Sequence, residues 1–177
     1  MAATFAWEKS NGAGQTITTA TEINWKNVDD NTTAYSASPI TSGNNSFEQW
    51  LAGHFSGSFN QISAGLYEHT ATAFADPTHT ILKGVKAMTA DGDRLTYTTP
   101  AVAANANLTR DITAVTAIGS GAAVWFGATS ANASGKAATM TTNPCWTNYL
   151  TTQLQTTAGI PAGDTANVTI TLQYNEN

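Results

Sequence analysis

The residues that could do chemistry are few and scattered. The histidines are His54, His69 and His79. A metal centre or a nucleophilic triad needs two or three such groups converging on one point. No His-x-His or His-Glu-x-x-His spacing occurs, and no nucleophile motif accompanies them. His54 and His69 sit in strand-like text and read as partly buried or surface side chains, so no catalytic residue is assigned and the chain is not expected to be an enzyme. Asp29-Asp30 and Asp91-Gly92-Asp93 offer the clustered oxygens that calcium prefers. The EF-hand spacing and its bidentate Glu are missing, however. The stronger reading is that these aspartates build turns, and Asp91-Gly92 is a hairpin signal in its own right. No metal and no cofactor are expected. Cys145 stands alone, beside Pro144 and Trp146, so it cannot form an intrachain disulfide. It reads as a small buried hydrophobe rather than a nucleophile. Gly12-Ala13-Gly14 lacks the helix and the Lys of a phosphate loop. Trp7, Trp25, Trp50, Trp125 and Trp146 could form a stacking platform for a sugar. Burial is the default for such rings, and Trp25 and Trp125 sit in alternating apolar text that suggests core.

Composition narrows the classes further. The 177 residues suffice for one domain, which can bury roughly 70% of its unfolded surface without disulfides or metal. Charged residues are only 11% of the chain, against about 25% in an ordinary soluble domain. Polarity comes from Thr, Ser, Asn and Gln instead, a surface common in assemblies and in proteins that end up outside cells. Twelve acidic and seven basic residues give a net charge of −5, and no Lys/Arg run occurs. Phosphate binding needs clustered cations, so nucleic acid is not an expected partner. The acidic balance argues equally against an anionic membrane surface. Met1-Ala2-Ala3-Thr4-Phe5-Ala6-Trp7-Glu8 has no basic segment leading into an apolar core, so no signal peptide is expected.

The elements that must position these residues read as short strands. β-branched and aromatic residues pack well on a pleated surface, and Gly, Asn, Asp and Pro punctuate them. Residues 4–8 alternate Phe5 and Trp7 with small or polar neighbours, and 10–14 read as a turn. Residues 22–26 alternate again, with Ile23 and Trp25 on one face, until Asp29-Asp30-Asn31 breaks the pattern. Residues 36–46 read as a loop. In 47–67, Phe55, Gly57 and Phe59 sit two apart, which would turn both rings inward on an antiparallel face. Strands are expected in 66–71, 80–88, 95–99, 111–118 and 122–126, while 101–107 and 130–135 read as irregular. Residues 145–157 are ambiguous, since Trp146, Tyr149, Leu150 and Leu154 could form a helical face, but the Thr pairs favour one long strand. The last strand is the clearest, with Val168, Ile170, Leu172 and Tyr174 alternating with polar residues. The pattern implies an all-β fold, an antiparallel β-sandwich or jelly-roll-like single domain with an extended N-terminal arm. Residues 1–10 form the arm or a first strand, and residues 11–177 the sandwich.

Two segments carry a resemblance. One is Asn148-Tyr149-Leu150-Thr151-Thr152-Gln153-Leu154-Gln155-Thr156 with Pro161-Ala162-Gly163-Asp164-Thr165 and the strand ending Gln173-Tyr174-Asn175-Glu176. It resembles the closing hairpin of small virion proteins of tailed bacteriophages. The other, Phe55-Ser56-Gly57-Ser58-Phe59-Asn60-Gln61-Ile62, resembles tailed-phage structural genes of unassigned role. Together they cover about a third of the chain, and their motifs are structural rather than catalytic. The resemblance implies a virion structural protein, either a capsid decoration (cement) protein or a tail- or fibre-associated protein that could bind a receptor. The decoration reading implies a homotrimer on the capsid exterior, made in the host cytoplasm, with the major capsid protein and its own copies as partners. Its partner-binding residues would be Ala2, Ala3, Thr4, Phe5, Trp7 and Lys9, with Trp7 the best docking candidate, together with loop tips. A loop such as 36–46 could also read a host glycan.

Overall fold

In the computed structural model the described residues are 2–11, 16–69, 79–86, 110–111, 139–147, 149–161, 163 and 170–177. They form antiparallel strands and one short 3-10 turn, Tyr35–Ala37. The strands are β1 Ala3–Asn11, β2 Thr16–Thr19, β3 Gln49–Gly57, β4 Ile62–His69, β5 His79–Lys86, β6 Arg110–Asp111, β7 Thr139–Met140, β8 Cys145–Trp146, β9 Tyr149–Thr156 and β10 Ile170–Glu176. The larger sheet runs β2-β1-β3-β9-β5-β6, with β8 also paired to β3, and the smaller runs β10-β4-β7. The fold is therefore all-β and antiparallel. No helix among the described residues is long and apolar enough to cross a membrane.

β3 explains why the larger sheet needs cover on both sides. Successive strand side chains point to opposite faces, and Gln49 through Gly53 are all buried. Leu51 and Phe55 enter a cluster with Cys145 and Leu150 of the same sheet and Ile62, Met140 and Leu172 of the smaller sheet. The two sheets thus share one core. Phe55 lies at its centre, 5.1 Å from the Phe5 ring and edge-on to Tyr174 at 4.7 Å. On the opposite face Trp50 and Tyr149 pack with ring centroids 5.3 Å apart, beside Ala52 and Trp146.

Gly53 sets how closely Phe5, Leu172 and Thr147 approach β3. A Cβ there would lie 2.9 Å from Phe5 Cε2 and 3.1 Å from both Leu172 Cδ2 and Thr147 Cγ2. Gly57 ends β3 with φ +93°, in the left-handed region that favours glycine. The chain then turns so that Phe59, like Phe55, is buried.

Several expectations are corrected. Residues 22–26 alternate in apolarity yet form no strand. Trp25 Nε1 donates to Thr152 Oγ1 at 3.1 Å and Lys26 Nζ donates to Asp30, so side-chain anchors take the place of a ladder. Residues 145–156 are two strands, not one long one, because Thr147 bonds back to β3: its N–H donates to the Gly53 carbonyl and its Oγ1 accepts from the Gly53 N–H. The segments carrying the resemblance at the C-terminal end are not a hairpin. Both edges of β9 are occupied, by β3 and β5, so β10 crosses to the other sheet and pairs with β4. The expected Asp91-Gly92 hairpin, the strands at 95–99 and 122–126, most of 111–118, and the irregular segments 101–107 and 130–135 lie outside the described residues.

Candidate functional site

The expected docking segment is a strand inside the larger sheet. Register pairs Ala3 with Gly57, Phe5 with Phe55, Trp7 with Gly53 and Lys9 with Leu51. Ala3, Phe5 and Trp7 are half-buried and pack against the shared core. Phe5 and Trp7 meet edge-on at 5.2 Å, and the Trp7 carbonyl accepts from the Ala20 N–H at 2.8 Å. The Ala3 N–H donates to Glu176 Oε1 at 2.8 Å, which ties the strand to β10. Lys9 is half-buried, and its pKa is lowered first by burial and then by nearby Lys26, against a smaller opposing effect of Glu22. Ala2 and Thr4 are the two of the six that are exposed. Residue spacing placed Phe5 and Trp7 on one face correctly, but that face turns toward the core.

The other face of β1 carries the most chemically suggestive cluster among the described residues. Glu8, His54 and Trp146 come from β1, β3 and β8. Glu8 Oε1 lies 3.1 Å from His54 Nδ1, and Glu8 Oε2 accepts from Trp146 Nε1 at 2.9 Å. The imidazole stacks on the indole at 4.6 Å with an interplanar angle of 8°. A carboxylate only accepts, so Nδ1 carries the proton and Nε2 is left as the other ring nitrogen. That Nε2 is enclosed and has no hydrogen-bond partner. A general base must lie within reach of the proton that it takes, and this nitrogen faces no solvent. The cluster therefore acts as a cross-strand brace, joining three strands through one carboxylate. Nothing in the sequence could have found it, because only the strand register brings Glu8 beside His54.

Asp29-Asp30, weighed above as a calcium site, resolves into a turn. Asp30 Oδ1 accepts from Lys26 Nζ at 2.6 Å and from the Thr32 and Thr33 N–H groups at 3.2 and 2.9 Å. Its Oδ2 accepts from Thr33 Oγ1 at 2.5 Å. These bonds, Lys26 foremost, hold the Asp30 carboxyl well below the usual carboxylate range. Lys26 is nearly buried and also donates to the Thr33 carbonyl at 2.7 Å. No group of three or more His, Cys, Asp or Glu able to hold a metal occurs among the described residues. Cys145 is fully buried in the shared core. The side chains of His69 and His79 lie outside the described set.

The same staple fixes the base of a long loop. Between Ala20 and Glu48 the chain forms no strand beyond an isolated bridge from Asn45 to Gln155. The Asn27 N–H donates to the Ser38 carbonyl at 3.0 Å. Farther on, Ser42 Oγ accepts from the Gly159 and Ile160 N–H groups at 2.9 and 3.2 Å, and Thr156 Oγ1 accepts from the Gly43 N–H at 3.0 Å. The Leu154 N–H donates to Ser46 Oγ at 3.0 Å.

No family model, no curated protein and no solved structure matches this chain.

Proposed function

We propose that this chain is a non-catalytic structural module of a tailed-phage virion, most specifically a capsid decoration protein. Its two sheets would pack as a sandwich, and it would bind the major capsid protein on the capsid exterior as a homotrimer. Its work would be mechanical, bridging neighbouring capsomers and burying surface that stabilises the shell. The observation that carries this reading is where the reactive side chains go. Among the described residues, Glu8, His54 and Trp146 are spent on bracing strands, and Lys26 and Asp30 on shaping a loop. The low charge, the resemblance carried by residues 55–62 and the single buried thiol support it. Closed symmetry is the general rule for homo-oligomers, which favours the trimer on a shell with many threefold positions.

A tail- or fibre-associated, receptor-binding role is the second reading, and the ordered loop at residues 27–46 favours it. Co-sedimentation of purified protein with expanded shells that lack it, beside isolated tails, tests both. Saturable binding to shells in hundreds of copies, without binding to tails, is the expected result. Binding to tails alone, or to neither particle, would overturn the decoration reading.

A further inference from the structure

We propose that the loop over residues 27–46 is a binding site for neutral saccharides, with the Tyr35 ring as its stacking platform. Strandless segments of this length inside a compact domain are uncommon, and they are usually functional or disordered. This one is ordered by named bonds at both ends. The Lys26–Asp30–Thr33 staple and the Asn27–Ser38 bond hold the near side. Ser42 and Gly43, bonded to Gly159, Ile160 and Thr156, hold the far side. Between them the turn Tyr35–Ala37 buries no residue at all. The turn is thus held in place with its side chains outside the core.

The chemistry of the apex selects the ligand class. Tyr35 is 51% exposed and is the exposed large hydrophobic among the described residues. Its neighbours Ala34, Ser36 and Ala37 are small and exposed, so they leave the ring open to a flat partner. Residues 31–47 contain no Asp, Glu, Lys or Arg. At the loop base, Asp30 is already engaged by Lys26 and Thr33, and Asp29 also has an interaction partner. Such a surface has nothing to neutralise an ionised ligand. The exposed Ser36 hydroxyl beside the ring both donates and accepts, which matches sugar hydroxyls, and an aromatic face takes the apolar C–H face of a pyranose. Area argues against a protein occupant. A stable protein interface needs about 800 Å² a side with an apolar centre, and a single ring among small residues does not supply that. A ligand of one or a few sugar rings fits. The proposal rests on the same loop as the receptor-binding reading, and glycan retention is read separately from binding to shells or tails.

The test is binding of the full chain to immobilised neutral, sialylated and sulfated oligosaccharides, followed by titration with the neutral oligosaccharides retained. The wild type is expected to retain neutral glycans with an affinity insensitive to salt. Tyr35→Ala is expected to lose about tenfold in affinity, since ring stacking is worth about one such step. Its melting temperature should match the wild type because the ring is exposed. Tyr35→Phe, which keeps the ring, should bind nearly as well as the wild type. Retention of acidic glycans alone, no retention of any glycan, or equal binding by Tyr35→Ala would each overturn the proposal.

Discussion

Replacing Asp30 with Ala should destabilise the fold far more than a surface substitution does. The Lys26 side chain is 5% exposed, whereas Asp30 is 31% exposed. Without the carboxylate, a nearly buried ammonium keeps only the Thr33 carbonyl, at 2.7 Å, of the acceptors described above. Breaking a fully buried pair costs about 3–5 kcal/mol, and an exposed pair contributes about 0.2–1 kcal/mol. This pair lies between those limits, since water can reach one partner. The turn also loses its acceptor for the Thr32 and Thr33 N–H groups. The expected loss is about 2–3 kcal/mol, read by urea denaturation followed through tryptophan fluorescence. Lys26→Met in the Asp30→Ala background should recover about 1 kcal/mol or more, because it removes the uncompensated charge. If the double variant is no more stable than Asp30→Ala, or if Asp30→Ala costs less than about 0.5 kcal/mol, the stranded-charge argument is wrong. The acid limb gives a second check. Folding lowers the Asp30 pKa, so its contribution is complete above the unfolded carboxylate value near 4 and declines as pH falls below it. Asp30→Asn should flatten that part of the stability–pH curve.

Three further outcomes follow from the packing. Gly53→Ala places a methyl 2.9 Å from Phe5 and 3.1 Å from Leu172 and Thr147. It should cost about 1–3 kcal/mol in chemical denaturation, and a neutral result would mean that these three side chains yield at that point. Phe55→Ala empties the centre of the shared core and should cost about 3–5 kcal/mol, measured in the same way. Glu8→Gln keeps the outline of the brace but loses one of its two acceptor oxygens. A loss of about 1 kcal/mol with altered Trp146 emission is expected, and emission unchanged from the wild type would deny the brace.

Much of the fold was legible in the residues. Alternation marked β1 and β10. This pattern is local, because a side-chain period of two survives whatever the strand pairs with. Phe55 and Phe59 are both buried, but β3 ends at Gly57, so Phe59 reaches the core through the turn rather than by the strand period. Residues 22–26 show the limit. Their alternation reflects contact with the core, which Ile23 makes without any ladder. The Lys26–Asp30 spacing was visible in the sequence, but its role required knowing that Lys26 is buried.

By itself the sequence determined the all-β character, the polar and weakly charged surface, and the turn-building role of Asp30. Each of these depends on residue type or on neighbours a few positions apart. The tertiary structure alone decided that β9 and β10 part into different sheets and that Glu8 meets His54 and Trp146. It also decided that Phe5 and Trp7 turn toward the core while Tyr35 faces outward. Those outcomes depend on strand register and on competition for sheet edges, which involve contacts between distant parts of the chain.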